Sequence, residues 1–308
     1  MANTLPLSVP LPRGDGDVVV APERGGDGYW AGGPSAVVAD NAVYLAYRLR
    51  RPVELGRGYA IVIARSTNGL RFEPIIELRK EQFATASFER PALVRVGDGS
   101  WRLFVSCSTE NSKHWWIDAL AADRIEDLDP ADRRTVFPGD ATVAAKDPVV
   151  REQDGAWQAW VCCHPLDEPD ATDRMYSRYA TSADGWSWQW GPIALQGRAG
   201  RWDARGARIS EVLVEDDLTV AYYDGRANAE ENWKERTGIA LAVGNGIFQP
   251  AADAPTAVSP HGHGGLRYVC AVRIGGRTRL YYEACRADGA HELRTELFEE
   301  VRGAGILY

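Results

Sequence analysis

The sequence predicts an all-β protein, a single five-bladed β-propeller occupying residues 1–308 as one domain. Two observations carry this expectation, and the lack of long helical periodicity supports it. The first is a segment that recurs five times: a small-residue or Pro-containing opening, an apolar strand, a short polar turn and a second strand rich in aromatics. The copies are GPSAVVADNAVYLAYR from Gly33, RPALVRVGDGSWRLFVSC from Arg90, DPVVREQDGAWQAWVCC from Asp147, SEVLVEDDLTVAYYDGR from Ser210 and HGGLRYVCAVRIGGRTRLYYEAC from His263. Their starts lie 57, 57, 63 and 53 residues apart, in the manner of a blade repeat built from about four strands. The second is strand signalling throughout: alternating apolar and polar residues, β-branched and aromatic enrichment, and turns at 97–99, 153–155 and 275–276.

Taken in order, the repeats place blades at roughly 33–80, 89–140, 145–195, 208–250 and 262–300. Their outer halves repeat as well, in YAIVIARSTNGLRFEP, YSRYATSADGWSWQWGP and TGIALAVGNGIFQP. Each carries a turn ending in Gly and then an aromatic, the pattern of a tight hairpin whose aromatic packs between neighbouring blades. The stretch DVVVAPE at 17–23 is expected to give a strand that closes the ring with the C-terminal blade. Only AADRIEDLDPADR near Arg124 and ANAEENWKER near Glu230 are compatible with short helices.

Composition narrows the partners. A net charge of -8 and a pI near 5.3 argue against nucleic acid and anionic membrane surfaces. No apolar run approaches the ~20 residues of a membrane span, and the N-terminus has no basic start followed by an apolar core, so no signal peptide is expected. The five cysteines, Cys107, Cys162, Cys163, Cys270 and Cys285, fall inside expected strands, as reduced buried thiols of a cytoplasmic protein would. Their spacing gives no reason to expect a zinc site: there is no CxxC pair, and Cys162 and Cys163 should face opposite sides of one strand. Arginine outnumbers lysine 31 to four. That ratio suits either a GC-rich genome or a site lined with guanidinium groups for an anionic or polyhydroxylated ligand.

A propeller brings the first strand of every blade to one axis, so the residues that open the repeats should meet. Those openings are Gly33-Pro34, Arg90-Pro91, Asp147-Pro148, Ser210-Glu211 and His263-Gly264. Acid, Arg and His at such positions are the residue types that bind sugars and move protons. Around them, Arg48, Arg208, Asp224 and Arg226 are further candidates for binding substrate, with Trp30 and Trp115 as stacking platforms. Inter-blade packing is the better reading of Trp186 and Trp188, and an ordinary loop position that of His114 and His164.

On these motifs the chain resembles the five-bladed propeller glycoside hydrolases of the arabinanase and xylosidase type, with the related invertase-like and mannoside-phosphorylase-like families. The resemblance implies Asp147 of KDPVV at the blade-three position that tunes pKa and orients substrate, or acts as base. It implies Glu211 of SEVLVED as the blade-four general acid. It also implies His263 of GHG as the blade-five histidine facing the axis, which would reach a central divalent cation such as calcium; no other cofactor is required. Where the family has Asp before Pro in blade one, this chain has Gly33. Asp27 or Glu89, close to the openings of blades one and two, would then replace the missing base. The implied function is cleavage of a glycosidic bond in a small glycoside, neutral or anionic. The alternatives are phosphorolysis, which needs one protein acid, a degenerate propeller that binds sugar without hydrolysis, and lyase or cyclase chemistry in a biosynthetic pathway.

Overall fold

The computed structural model describes residues 9–215 and 218–299. Twenty strands, and no α-helix, make up the regular structure of these residues apart from six single turns of 3₁₀-helix. Three antiparallel four-stranded sheets follow chain order. One holds β6 (Ala92–Arg95), β7 (Trp101–Ser108), β8 (Trp115–Ala122) and β9 (Arg134–Phe137). The next holds β10 (Val143–Gln153), β11 (Ala156–Pro165), β12 (Tyr176–Ser182) and β13 (Trp188–Gln196). The third holds β14 (Gly206–Glu215), β15 (Leu218–Arg226), β16 (Arg236–Gly244) and β17 (Ile247–Pro250).

An eight-stranded sheet unites the two ends of the chain. One half is β2 (Trp30–Ala39), β3 (Ala42–Arg50), β4 (Gly58–Ser66) and β5 (Glu73–Arg79). The other is β18 (Leu266–Ile274), β19 (Arg277–Cys285) and β20 (His291–Glu299), with β1 (Asp17–Val20) antiparallel to β20. The halves meet at a single parallel pair, Trp30 with His291.

Local chemistry explains the hairpins. Asp40-Asn41, Asp154-Gly155, Asn245-Gly246 and Gly275-Gly276 each form a two-residue link with both residues at positive φ. That twist matches the right-handed twist of the flanking strands, and Asn, Asp and Gly tolerate it best. The stretches near Arg124 and Glu230 form 3₁₀ turns of three residues each, at 125–127, 130–132 and 229–231. Pro130 at the start of one, and Asp129 and Asn228 accepting main-chain N–H groups, suit such turns but give no surface to propagate a helix.

Apolar residues fill the spaces between consecutive sheets. Phe88 and Leu103 pack with Ile61, Trp157 with Phe104, and Tyr223 with Trp160; Leu280 packs with Val220, and Leu293 with Leu45. The aromatics of the outer repeats sit in these spaces: Phe72 against Tyr281, Trp188 against Phe104, Phe248 against Trp160. The first strands β2, β6, β10, β14 and β18 each lie against the next, and β18 returns to β2. Their N-terminal ends therefore converge, and the site is built there.

Candidate active site

Four of the five first strands, β6 excepted, break register near their N-terminal ends. Pairing slips between Gly32 and Ser35, Lys146 and Val149, Ile209 and Glu211, and Arg267 and Cys270. At three of these bulges a residue takes the left-handed conformation: Gly33 (φ 61°), Asp147 (φ 51°) and Tyr268 (φ 55°). For Asp147 and Tyr268 this is an unfavourable backbone state that a site must hold in place. Tyr268 of β18 is thus the counterpart of Asp147 of β10. His263 is not: it lies five residues earlier, exposed, in the loop before β18. The sequence alignment failed there because HGHGG imitates an opening, whereas RYV carries the bulge. In blade four Ser210 occupies the bulge and Glu211 follows it, a position equivalent to Val149 and Cys270.

From these ends a buried charge network crosses the axis. The Arg208 guanidinium donates to Asp147 Oδ2 (3.1 Å) and, through two nitrogens, to Asp224 Oδ2 (3.1 and 2.9 Å). Arg267 joins Glu235 (2.5 Å) to Glu283 (2.7 Å), Arg226 pairs with Glu235, and Arg48 pairs with both Glu283 (3.2 Å) and Glu89. The Tyr268 hydroxyl lies 3.3 Å from Asp147 Oδ2 and 3.5 Å from Glu89 Oε2, and the Arg208 guanidinium stacks 3.9 Å over its ring. One hydroxyl within reach of both carboxylates holds them no farther apart than the carboxyl pair of a glycosidase.

The network has a wet end at Lys146 and Glu89, whose side chains are 13% and 6% exposed. A second outlet is Asp173, 16% exposed and 3.8 Å from Arg226, while the remaining members are 3% or less. At the wet end the Trp115 ring receives Lys146 Nζ at 5.0 Å and the Arg57 guanidinium at 5.7 Å. Arg57 also lines a cavity of about 460 Å³ with mixed walls, Val53 and Ala86 on the apolar side and Ser87, Ser108, Thr109 and Lys113 among the polar ones.

Burial and neighbouring charge set the protonation states. Burial pushes the Lys146 ammonium down to about 8, against the pull of Asp147 3.8 Å away. Burial alone would raise Asp147, but Lys146 and Arg208 hold its carboxyl below the usual range. Asp224 goes the other way, raised by burial to about 6 despite Arg208. Burial, reinforced by Arg48, Arg57 and Arg267, lowers Arg50 to about 8; no ion pair joins Arg50 or Arg57 to a carboxylate among the described residues.

Other residues land elsewhere. Glu211 accepts from the main-chain N–H of Val212 (2.9 Å) and Ala271 (3.1 Å). It faces a second cavity, about 280 Å³, at the C-terminal halves of the first strands, with Arg90, Arg151 and Arg273 but none of Asp147, Glu89 or Arg208. Arg90 bridges the carbonyls of Pro34 (3.0 Å) and Pro148 (3.4 Å), and its N–H donates to Asp147 Oδ1. Trp30 is no open platform, since His291 stacks at 4.6 Å and Arg50 lies 3.6 Å over its ring. Asp27 lies apart from the axial carboxylates, against Gly289 and near enough to His263 and Cys285 to influence both. The donors next to His263 are a nitrogen and a sulfur, so the oxygen-rich shell calcium takes is missing there. Asp224 and Arg226 belong to the network.

Sequence reading passed over Lys146, Tyr268, Arg267, Glu235 and Glu283. A strand whose inward positions carry charge at RYV and YEAC was the available signal. Trp233, at φ 71° and 39% exposed, was also missed; it covers Arg50 at 4.8 Å.

The comparisons agree with this architecture. A glycosyl hydrolase from Bacteroides ovatus superposes with a TM-score of 0.69 at 14% identity, over 97% of this chain and 96% of that one. The chain shares its fold with glycoside hydrolases and mannoside phosphorylases. The beta-1,2-mannobiose phosphorylase from Listeria innocua matches with a TM-score of 0.65 at 16% identity over 90% and 92%. The alpha-L-arabinofuranosidase from Lactobacillus brevis gives 0.64 at 15% over 86% and 90%. No protein-family model matches the sequence, and comparison with curated sequences finds no match. At these identities the likeness speaks for the propeller-type fold. No helix among the described residues is long and apolar enough to cross a membrane.

Proposed function

We propose that the chain is a five-bladed propeller enzyme that cleaves a glycosidic bond in a small glycoside at the wet end of the axial network. Five apolar layers between consecutive runs of strands support the blade count, and five unpaired thiols suit a cytoplasmic location. The observation that carries the reading is the pair Glu89 and Asp147, linked through one tyrosine hydroxyl, with Glu89 two residues along the chain from Ser87 in the wall of a cavity that carries several hydroxyls. Glu89, the carboxyl of this wet end, is ionised at rest beside Arg48 and relays to the leaving glycosidic oxygen a proton taken from the incoming acceptor. Asp147 stays ionised, fixes Lys146 and Arg208, and orients the sugar. Glu211 is left a structural task between two strands.

A specific observation favours phosphate rather than water as acceptor. Arg57 and Lys146 both lie over the Trp115 ring at this end, Arg57 has no ion pair to a carboxylate among the described residues, and guanidinium groups hold phosphate through paired hydrogen bonds. A phosphate oxygen would then attack the anomeric carbon as the glycosidic oxygen takes the proton that Glu89 relays. Aryl glycosides assayed with and without phosphate test both points. Cleavage that needs phosphate and drops at least ~100-fold in Glu89→Gln is expected. Equal rates without phosphate would assign hydrolysis instead, and full activity in Glu89→Gln would remove Glu89.

A further inference from the structure

At one end of the eight-stranded sheet, three side chains distant in sequence meet. Cys285 ends β19, His291 begins β20, and His263 comes from the exposed loop before β18. Their Sγ and imidazole nitrogens all lie within 4.8 Å of one another. His291 Nε2 and His263 Nε2 are 3.2 Å apart. That is near the edge of a tetrahedron built on metal–nitrogen bonds, about 3.3 Å.

We propose that His263, Cys285 and His291 bind a thiophilic divalent cation, zinc by the chemistry of the donors. Two imidazoles and a thiolate suit zinc, whereas calcium and magnesium take oxygen. The support behind His291 is that of a metal ligand. Its Nδ1 lies 2.7 Å from Glu283 Oε1, and Glu283 is itself held by Arg267 and Arg48. The carboxylate takes the Nδ1 proton, which fixes the tautomer and leaves the Nε2 lone pair aimed at His263. His263 Nδ1 accepts from Gly265 N–H (3.2 Å), so without metal its proton sits on Nε2 and is shared with His291.

Metal entry exchanges these protons in a countable way. The His263 proton moves to Nδ1, the loop N–H of Gly265 turns to water, and the Cys285 thiol gives up its proton to bind as thiolate. The net release is one proton per ion, with water in the fourth position. Gly262 and Gly264, both at positive φ (54° and 81°), flank His263 and let the loop adjust. The ion would pin this loop to β19 and β20 next to Trp30, which stacks on His291. It is a site apart from the axis, where Tyr268 stands.

The test is calorimetric titration of chelator-treated full-length protein with Zn²⁺ in two buffers of different ionisation enthalpy, alongside Co²⁺ absorption. One ion per chain, release of one proton near neutral pH and a thiolate-to-cobalt charge-transfer band are expected. Cys285→Ser should abolish the band. His263→Gln, a change on an exposed loop that leaves the core intact, should weaken Zn²⁺ at least ~10-fold, and Zn²⁺ should slow alkylation of Cys285. Absence of Zn²⁺ binding, binding of Ca²⁺ in its place, or affinity unchanged in both variants would overturn the proposal.

Discussion

The openings of blades one and three share a backbone and differ in everything placed on it. Both have a bulge followed by proline, and both put one residue at positive φ: Gly33 in one, Asp147 in the other. In blade three that residue and Lys146 before it project charge to the axis. In blade one, Gly32 and Gly33 have no side chain to project. A Cβ on Gly32 would stand 2.0 Å from Glu283 Oε2, whereas one on Gly33 would make an ordinary contact with the Arg90 Cα and Cβ at 3.4 Å. The space beside Gly32 is therefore filled by Glu283 from a neighbouring run of strands, and the carboxylate of the wet end is Glu89.

The largest effect tests whether Glu283 holds that space. In Gly32→Ala the new methyl must displace a fully buried carboxylate that Arg48, Arg267 and His291 all contact. Parting a buried ion pair costs about 3–5 kcal/mol, so urea denaturation should register a loss of that order. A loss below ~1 kcal/mol would mean that blade one tolerates a side chain at the axis.

The blade-three side of the comparison is broken by Asp147→Asn, which strips the counter-charge from Arg208 and Lys146. About 3 kcal/mol of stability should go at pH 7, together with most activity. The sign of the pH dependence follows from the depressed carboxyl pKa of the folded state. Stability from Asp147 is present above the ordinary carboxylate value, about 4, and is lost as pH falls through the lower folded value. The gap between wild type and variant, measured by urea at pH 7 and pH 3, should narrow in acid. A gap that widens there would contradict the assignment.

These openings also mark how far the sequence could be read. The repeat disclosed the strands and the hairpins at 154–155 and 275–276, because β periodicity and blade spacing are local patterns. Of the openings it set around one axis, Asp147, Glu211, Arg90 and His263, the buried network takes in Asp147. Arg48, Glu89, Arg208, Asp224 and Arg226 were legible only as separate candidates. The repeat misplaced blade five, since a bulge at Tyr268 leaves no mark in composition whereas GHG looks like a motif. It gave Trp30 an open face, since pairing across the chain ends with His291 is invisible along the sequence. The Cys285 cluster escaped for the same reason: three loops and strand ends meet without any ligand spacing.

A smaller effect sharpens the electrostatic half of the contrast. Lys146 loses its proton near pH 8, so an anionic acceptor should bind more weakly as pH rises through that value and KM for phosphate should climb. Lys146→Arg stays charged, and its KM should remain level to pH 9 with kcat little changed. A wild-type KM that is flat from pH 7 to 9 would take Lys146 out of acceptor binding.

The smallest effect concerns the strand on which sequence and geometry part most. Glu211 follows its bulge where Val149 and Cys270 follow theirs, and its two oxygens are spent on the N–H groups of Val212 and Ala271. A glutamine there keeps one acceptor and loses a charge-assisted bond, at about 1 kcal/mol. Glu211→Gln should therefore melt slightly earlier and cleave glycosides at the wild-type rate, while Glu89→Gln loses turnover. If Glu211→Gln instead abolishes turnover with its stability intact, the reacting centre moves from the wet end to the second cavity, with Arg90 and Arg151 as its cations.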